Sequence, residues 1–138
     1  MKQLINIFAL WFSGCVCGYA FSLPPTPSSP AVEPQTFTAV VSAYCACERC
    51  CPGTSDNITA NGHRIRPGER FVAADRRFAF GTMLDIPGYG RVPVWDRGGA
   101  IRGDKLDVFF DDDPKTGKSG HRRAIEWGVR NLTVTVER

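Results

Sequence analysis

From Thr36 onward the chain alternates apolar and polar side chains in short bursts separated by glycine and proline. A period of two is the mark of strands with one buried face. Phe37 to Tyr44 reads as the first strand, with Phe71 to Ala74 and Met83 to Ile86 as two brief ones. Pro87-Gly88-Tyr89-Gly90 supplies the residues of a tight turn, so Arg91 to Trp95 returns as the second arm of a hairpin. Pro93 inside that arm predicts an edge or a bulge, because proline cannot donate to a ladder. Leu106 to Phe110 is a further strand, and Leu132 to Val136 is the last. Between them Ser119 can cap one short helix, Gly120 to Trp127, closed by Gly128. Short strands with one helix, over roughly a hundred residues, predict an all-β barrel, since a sandwich would want more strands.

The start of the chain has a different texture. Lys2 precedes an apolar run from Leu4 to Tyr19, the layout of a secretory signal and somewhat short for a spanning helix. Residues 1–21 therefore read as a signal peptide or an N-terminal anchor. Gly18-Tyr19-Ala20 offers small residues for cleavage, while Phe12-Ser13-Gly14-Cys15 resembles a lipobox that would lipidate Cys15. Residues 22–35 are rich in Pro, Ser and Thr, which suits a spacer and excludes helix or sheet interior. The folded domain is expected at 36–138. Each reading of the leader exports it to the cell envelope, as a periplasmic, membrane-tethered or secreted protein.

Charge narrows the partners only a little. Seventeen Lys+Arg against 14 Asp+Glu give a net +3, too weak for a nucleic-acid stripe and compatible with a polyanionic wall polymer. The cysteines say more. Cys15 and Cys17 lie in the leader, and Cys45, Cys47, Cys50 and Cys51 crowd into one turn. In an exported chain that cluster predicts disulfides, with the pairing open because four cysteines allow three connectivities. A zinc knot is the alternative, made awkward by the adjacency of Cys50 and Cys51. His63 and His121 show no ligand spacing, and Asp111-Asp112-Asp113-Pro114 reads as a solvated turn, so no metal is expected.

Two acids stand out against this background. Asp96 ends an apolar strand, and Asp107 sits inside another between Leu106 and Val108, although Asp is depleted from strands. Lost hydration there would favour the neutral acid, which can donate a proton to a leaving oxygen. The plainer alternative puts Asp107 on the solvent face of an amphipathic strand. Between the acids, Gly98, Gly99 and Gly103 permit close approach of a polymer, and Arg97 and Arg102 add fork-shaped donors.

The ordered series Ala74-Asp75, Gly81-Thr82, IPGYG at 86–90, DRGGAIRG at 96–103, LDVFF at 106–110 and EWGVR at 126–130 resembles the 3D domain of peptidoglycan lytic transglycosylases and of stationary-phase and germination muralytic proteins. The family is named for three aspartates, which fall here on Asp75, Asp96 and Asp107. The resemblance implies a six-stranded double-psi β-barrel. It also implies cleavage of MurNAc-β-1,4-GlcNAc bonds with 1,6-anhydro-MurNAc formation, by a monomer acting on glycan strands without cofactor. Asp107 matches the single acid/base, Asp96 the supporting carboxylate and Asp75 the third aspartate. Thr59-Ala60-Asn61-Gly62 is similar to the family's turn at the substrate groove, making Thr59 a saccharide contact beside Gly98, Gly99 and Arg102. Arg76 and Phe80 stand where the family usually has proline, and Arg97 replaces its threonine. Such barrels also occur in proteins that bind or loosen wall glycan without cutting it, which is the second reading.

Overall fold

The computed structural model describes residues 34–137. The expected leader, lipobox and nearly all of the spacer lie outside them. The elements are β1 Gln35–Tyr44, β2 Val72–Ala74, β3 Met83–Ile86, β4 Gly90–Asp96, β5 Lys105–Phe109, α1 Gly120–Trp127 and β6 Arg130–Glu137. They close into a barrel in the order β1-β5-β2-β4-β3-β6. Pairs β1–β5 and β2–β4 are parallel and the others antiparallel, and β3–β4 is the expected hairpin. This is the six-stranded double-psi barrel with one short helix that the motifs imply. Closure leaves β4 no free edge. Pro93 sits one residue before the β2–β4 ladder begins at Val94, and the irregularity it predicts is a bulge just beyond it.

Alternation decides what is inside. Val41, Val72, Leu84, Ile86, Val92, Val94, Leu106, Val108 and Val134 share one core, joined by Trp127 of α1. The Trp127 indole donates to the Val41 carbonyl at 3.3 Å, which ties the helix to β1. Residues of opposite phase, Ser42, Tyr44, Ala73, Asp107 and Phe109, face away from that core. The long connection from Cys45 to Phe71 runs between β1 and β2, and its residues help wall the cleft that opens over those positions.

The helix is capped as its sequence requires. Ser119 Oγ accepts from the Arg122 N–H, and Gly128 ends the helix at φ 67°. Gly120 is needed for a different reason. A Cβ there would stand 2.3 Å from the Phe110 carbonyl oxygen and 3.1 Å from Cys45 Cβ. Only a residue without a side chain lets the helix start this close to the ends of β1 and β5. Gly120→Ala is expected to destabilise the domain by about 1–3 kcal/mol through overpacking, read as a lower midpoint in urea. An unchanged midpoint would mean that the helix start can shift freely.

Candidate active site

Four neighbouring strands present one row of side chains. Ser42 of β1 pairs with Asp107 of β5, Asp107 with Ala73 of β2, and Ala73 with Asp96 of β4. The last pairing depends on the bulge, because the β2–β4 register jumps from Val72–Val94 to Ala73–Asp96 and skips Trp95. Without the extra residue Asp96 would continue the inward phase of Val92 and Val94. The bulge turns it onto the face that carries Asp107. On the sheet Ala73 stands between the two acids, which are two strand spacings or roughly 9.5 Å apart at the backbone.

Their surroundings differ sharply. Asp96 accepts from the Ala60 N–H at 2.8 Å and the Arg97 N–H at 2.9 Å, and its other oxygen takes the Tyr44 hydroxyl. Asp107 has one side-chain donor, Ser42 Oγ at 2.8 Å. Burial pushes its carboxyl up to about 6, the Ser42 hydrogen bond opposes that rise, and the charge of Asp96 adds to it. One acid is thus anchored as an acceptor by three donors, while the other is poised to exchange a proton near neutrality.

Both acids face a cleft of about 600 Å³, also lined by Tyr44, Thr59, Gly98 and Gly99. Thr59 is placed differently from a free saccharide contact. It is 3% exposed, and its hydroxyl is turned to Asn61 Oδ1 at 2.6 Å, with the His63 carbonyl at 3.1 Å. It fixes the turn that presents the Ala60 N–H to Asp96. Gly98 also has a packing reason to lack a side chain, since a Cβ would come within 2.6 Å of Ile101 Cγ1.

Two candidate site residues, the third aspartate and one substrate-binding arginine, lie elsewhere. Asp75 is not among the residues lining the cleft. Its oxygens accept from the Arg77 N–H at 2.9 Å and the Gly103 N–H at 3.1 Å, clamping two loops together. Those backbone donors hold its carboxyl below the usual range, a poor setting for an acid catalyst. Arg102 is exposed and also outside the cleft lining. Arg97 is spent on structure: its guanidinium donates to the carbonyls of Ala74, Asp96 and Phe78 and stacks over Phe80.

No S–S bond joins Cys45, Cys47, Cys50 and Cys51 in this structure, where disulfides were expected. Cys47 O accepts from both the Cys50 and Cys51 N–H groups, which winds the turn so that Cys45, Cys47 and Cys50 point together. The Cys51 sulfur is directed instead to the Cys45 carbonyl. His121, at the start of α1, meets the three convergent sulfurs, with Nδ1 3.6 Å from Cys47 and 3.4 Å from Cys50. Ser42 and Tyr44 are the other site residues that sequence reasoning missed. Their only signal was a polar phase opposite Val41 within β1.

Residues 70–136, the stretch from the end of the long connection through β6, match the family model of the 3D domain. This chain carries a 3D domain. Among curated proteins it is similar to the cell wall-binding protein YocH of Bacillus subtilis (strain 168), 32% identical over 105 residues that cover 74% of this chain. It is also similar, at 30% identity over 105 residues and 74% of this chain, to YabE of the same strain, whose name refers to cell wall shaping. The match spans 32% of the first relative and 23% of the second, about a third of their length or less. A mutant Clavibacter michiganensis expansin in complex with cellohexaose overlaps 75% of this chain and 51% of its own, at 19% identity and a TM-score of 0.49. Of the three aspartates that name the 3D domain, two meet in the cleft and the third braces it from outside.

Proposed function

We propose that this 3D domain is an exported cell-wall lytic transglycosylase that cleaves MurNAc-β-1,4-GlcNAc bonds with Asp107 as its single acid/base. The observation that carries the reading is the desolvated Asp107 carboxyl, pushed up to about 6, lying in a cleft beside a second, firmly held carboxylate. Asp107 donates its proton to the glycosidic oxygen as the bond from that oxygen to MurNAc C1 breaks. The leaving GlcNAc departs as an alcohol, and C1 becomes oxocarbenium-like. The ionised Asp107 then takes the proton of the same MurNAc's C6 hydroxyl while O6 bonds to C1, closing the 1,6-anhydro ring without water. Most glycosidases need a second carboxylate as nucleophile or base. Here the intramolecular hydroxyl serves, so Asp96 is free to stabilise the developing positive charge electrostatically. Asp75, by this reading, positions the loop after β4 rather than touching glycan.

The second reading is a non-catalytic wall-binding or wall-loosening module. It is favoured by the relative named as a cell wall-binding protein, to which this chain aligns over most of its length. Mass spectrometry of sacculi digested with the full chain separates the two. Muropeptides ending in 1,6-anhydro-MurNAc are expected. Reducing-end MurNAc without anhydro product would sink the lytic step, and binding without any release would establish the module.

A further inference from the structure

We propose that Cys45, Cys47, Cys50 and His121 form a structural zinc site that staples the long connection after β1 to the start of α1. The four ligand atoms lie within 4.8 Å of one another. Cys45 Sγ stands 3.1 Å from Cys47 Sγ and 3.4 Å from Cys50 Sγ, and the imidazole nitrogen closes the group at 3.4 and 3.6 Å. A zinc ion with Zn–S bonds of ~2.3 Å spaces its sulfurs about 3.8 Å apart, the same scale as these contacts. A disulfide would need ~2.05 Å and would leave the third sulfur and the imidazole without a role.

The donor set selects the metal class. Three sulfurs and one imidazole with no carboxylate suit zinc over magnesium or calcium, and three Cys with one His is a closed, four-coordinate structural set. With all four positions filled by protein, no place remains for an activated water. The site therefore belongs to folding rather than to bond cleavage.

The fold brings the ligands together in an unforced way. His121 is 74 residues from Cys47 in sequence, so no spacing rule links them. The turn after β1 gathers three sulfurs, and Gly120, whose missing side chain allows its contact with Cys45, delivers the adjacent histidine. Cys51 is left out, with its sulfur toward the Cys45 carbonyl, which removes the difficulty of two adjacent cysteines ligating together. The consequence for the cleft is direct. The stapled connection carries Ala60, whose N–H holds Asp96, and Cys51, Pro52 and Thr54, which line the cleft wall. Binding free energy at such a site is folding free energy for the segment it ties down. The zinc assignment stands independently of the glycan reading, because metal content is measured without substrate.

The test uses the full chain purified anaerobically without chelator. Elemental analysis should find one zinc per chain. Metal-free protein loaded with cobalt(II) should show sulfur-to-cobalt charge-transfer bands and the strong visible absorption of a tetrahedral site. Cys47→Ser and His121→Ala should weaken metal binding by at least the roughly 10–100-fold that loss of even an outer-sphere partner costs. Cys51→Ser should bind as the parent does, which keeps the test decisive if a ligand variant fails to fold. The assignment is overturned if the reduced parent chain gives no cobalt spectrum, if intact mass shows the four cysteines paired as disulfides in zinc-containing medium, or if Cys51→Ser loses metal as severely as Cys47→Ser.

Discussion

Asp107→Asn is expected to abolish muropeptide release while leaving sacculus pull-down intact, and at the same time to make the domain more stable at pH 8. The loss should be about 10²–10⁴-fold, the range attributed to a positioned acid/base. The gain follows from linkage. In the folded protein the Asp107 carboxyl titrates near 6, above its ordinary 3.8, chiefly because burial disfavours the anion. Between those two values the folded state binds more protons than the unfolded one, so stability falls as pH rises through that window. At pH 8 the full deficit of about 3 kcal/mol is present, and below about pH 4 it is gone. Asparagine carries no charge and keeps an oxygen for the Ser42 hydroxyl, so the variant escapes the deficit. At a few degrees of Tm per kcal/mol for a domain this small, the variant should melt well above the parent at pH 8 and close to it at pH 4. A variant that melts below the parent at both pH values would show that the buried carboxylate is not destabilising. Retained release would remove Asp107 from the mechanism.

How much of this could be read from residues alone depends on the range of the interaction concerned. The strands, the IPGYG hairpin and the Ser119-capped helix are local, written in alternation, turn chemistry and caps, and they stand in the fold within a residue or two of their expected bounds. Asp96 and Asp107 were legible because a carboxyl group in an apolar strand is out of place. Their meeting on one face was not, because it requires the Trp95 bulge, which inverts the phase of Asp96 and shows only once β4 is paired with β2. Asp75 carried the same family motif as the other two, yet the Gly103 N–H that joins the local Arg77 N–H in holding it lies 28 residues away and reaches it only through folding. Thr59 was legible as part of the turn at the cleft, but the partners of its hydroxyl, Asn61 and the His63 carbonyl, were not, because the turn's own folding sets them. His121 joined the cysteines through tertiary contact alone.

The pH profile is the sharpest remaining test of the Asp107 and Asp96 pairing. For kcat/KM on soluble glycan strands, the alkaline limb reports loss of the free enzyme's essential acid, and it should fall near 6 in the parent protein. Two substitutions should move it in opposite directions. Ser42→Ala removes a hydrogen bond that favours the Asp107 anion. A hydrogen bond to a charged group is worth about 1.5–3 kcal/mol, so the limb should rise by about one to two units. Asp96→Asn removes a repelling charge, so the limb should fall. Across two strand spacings, roughly 9.5 Å, that repulsion is about 0.4 kcal/mol in water and about 1.7 kcal/mol at an effective dielectric constant of ~20, or about 0.3 to 1.3 units. The amide also gives Tyr44, Ala60 and Arg97 one oxygen where the carboxylate gave two, so the maximum rate of Asp96→Asn should drop as its limb shifts. Ser42→Ala should keep most of its maximum rate, because Ser42 is not among the residues lining the cleft and its hydroxyl acts on the acid. Limbs that move the same way in both variants, or that stay in place in both, would mean that the titrating group is not Asp107 under the opposing influence of Ser42 and Asp96.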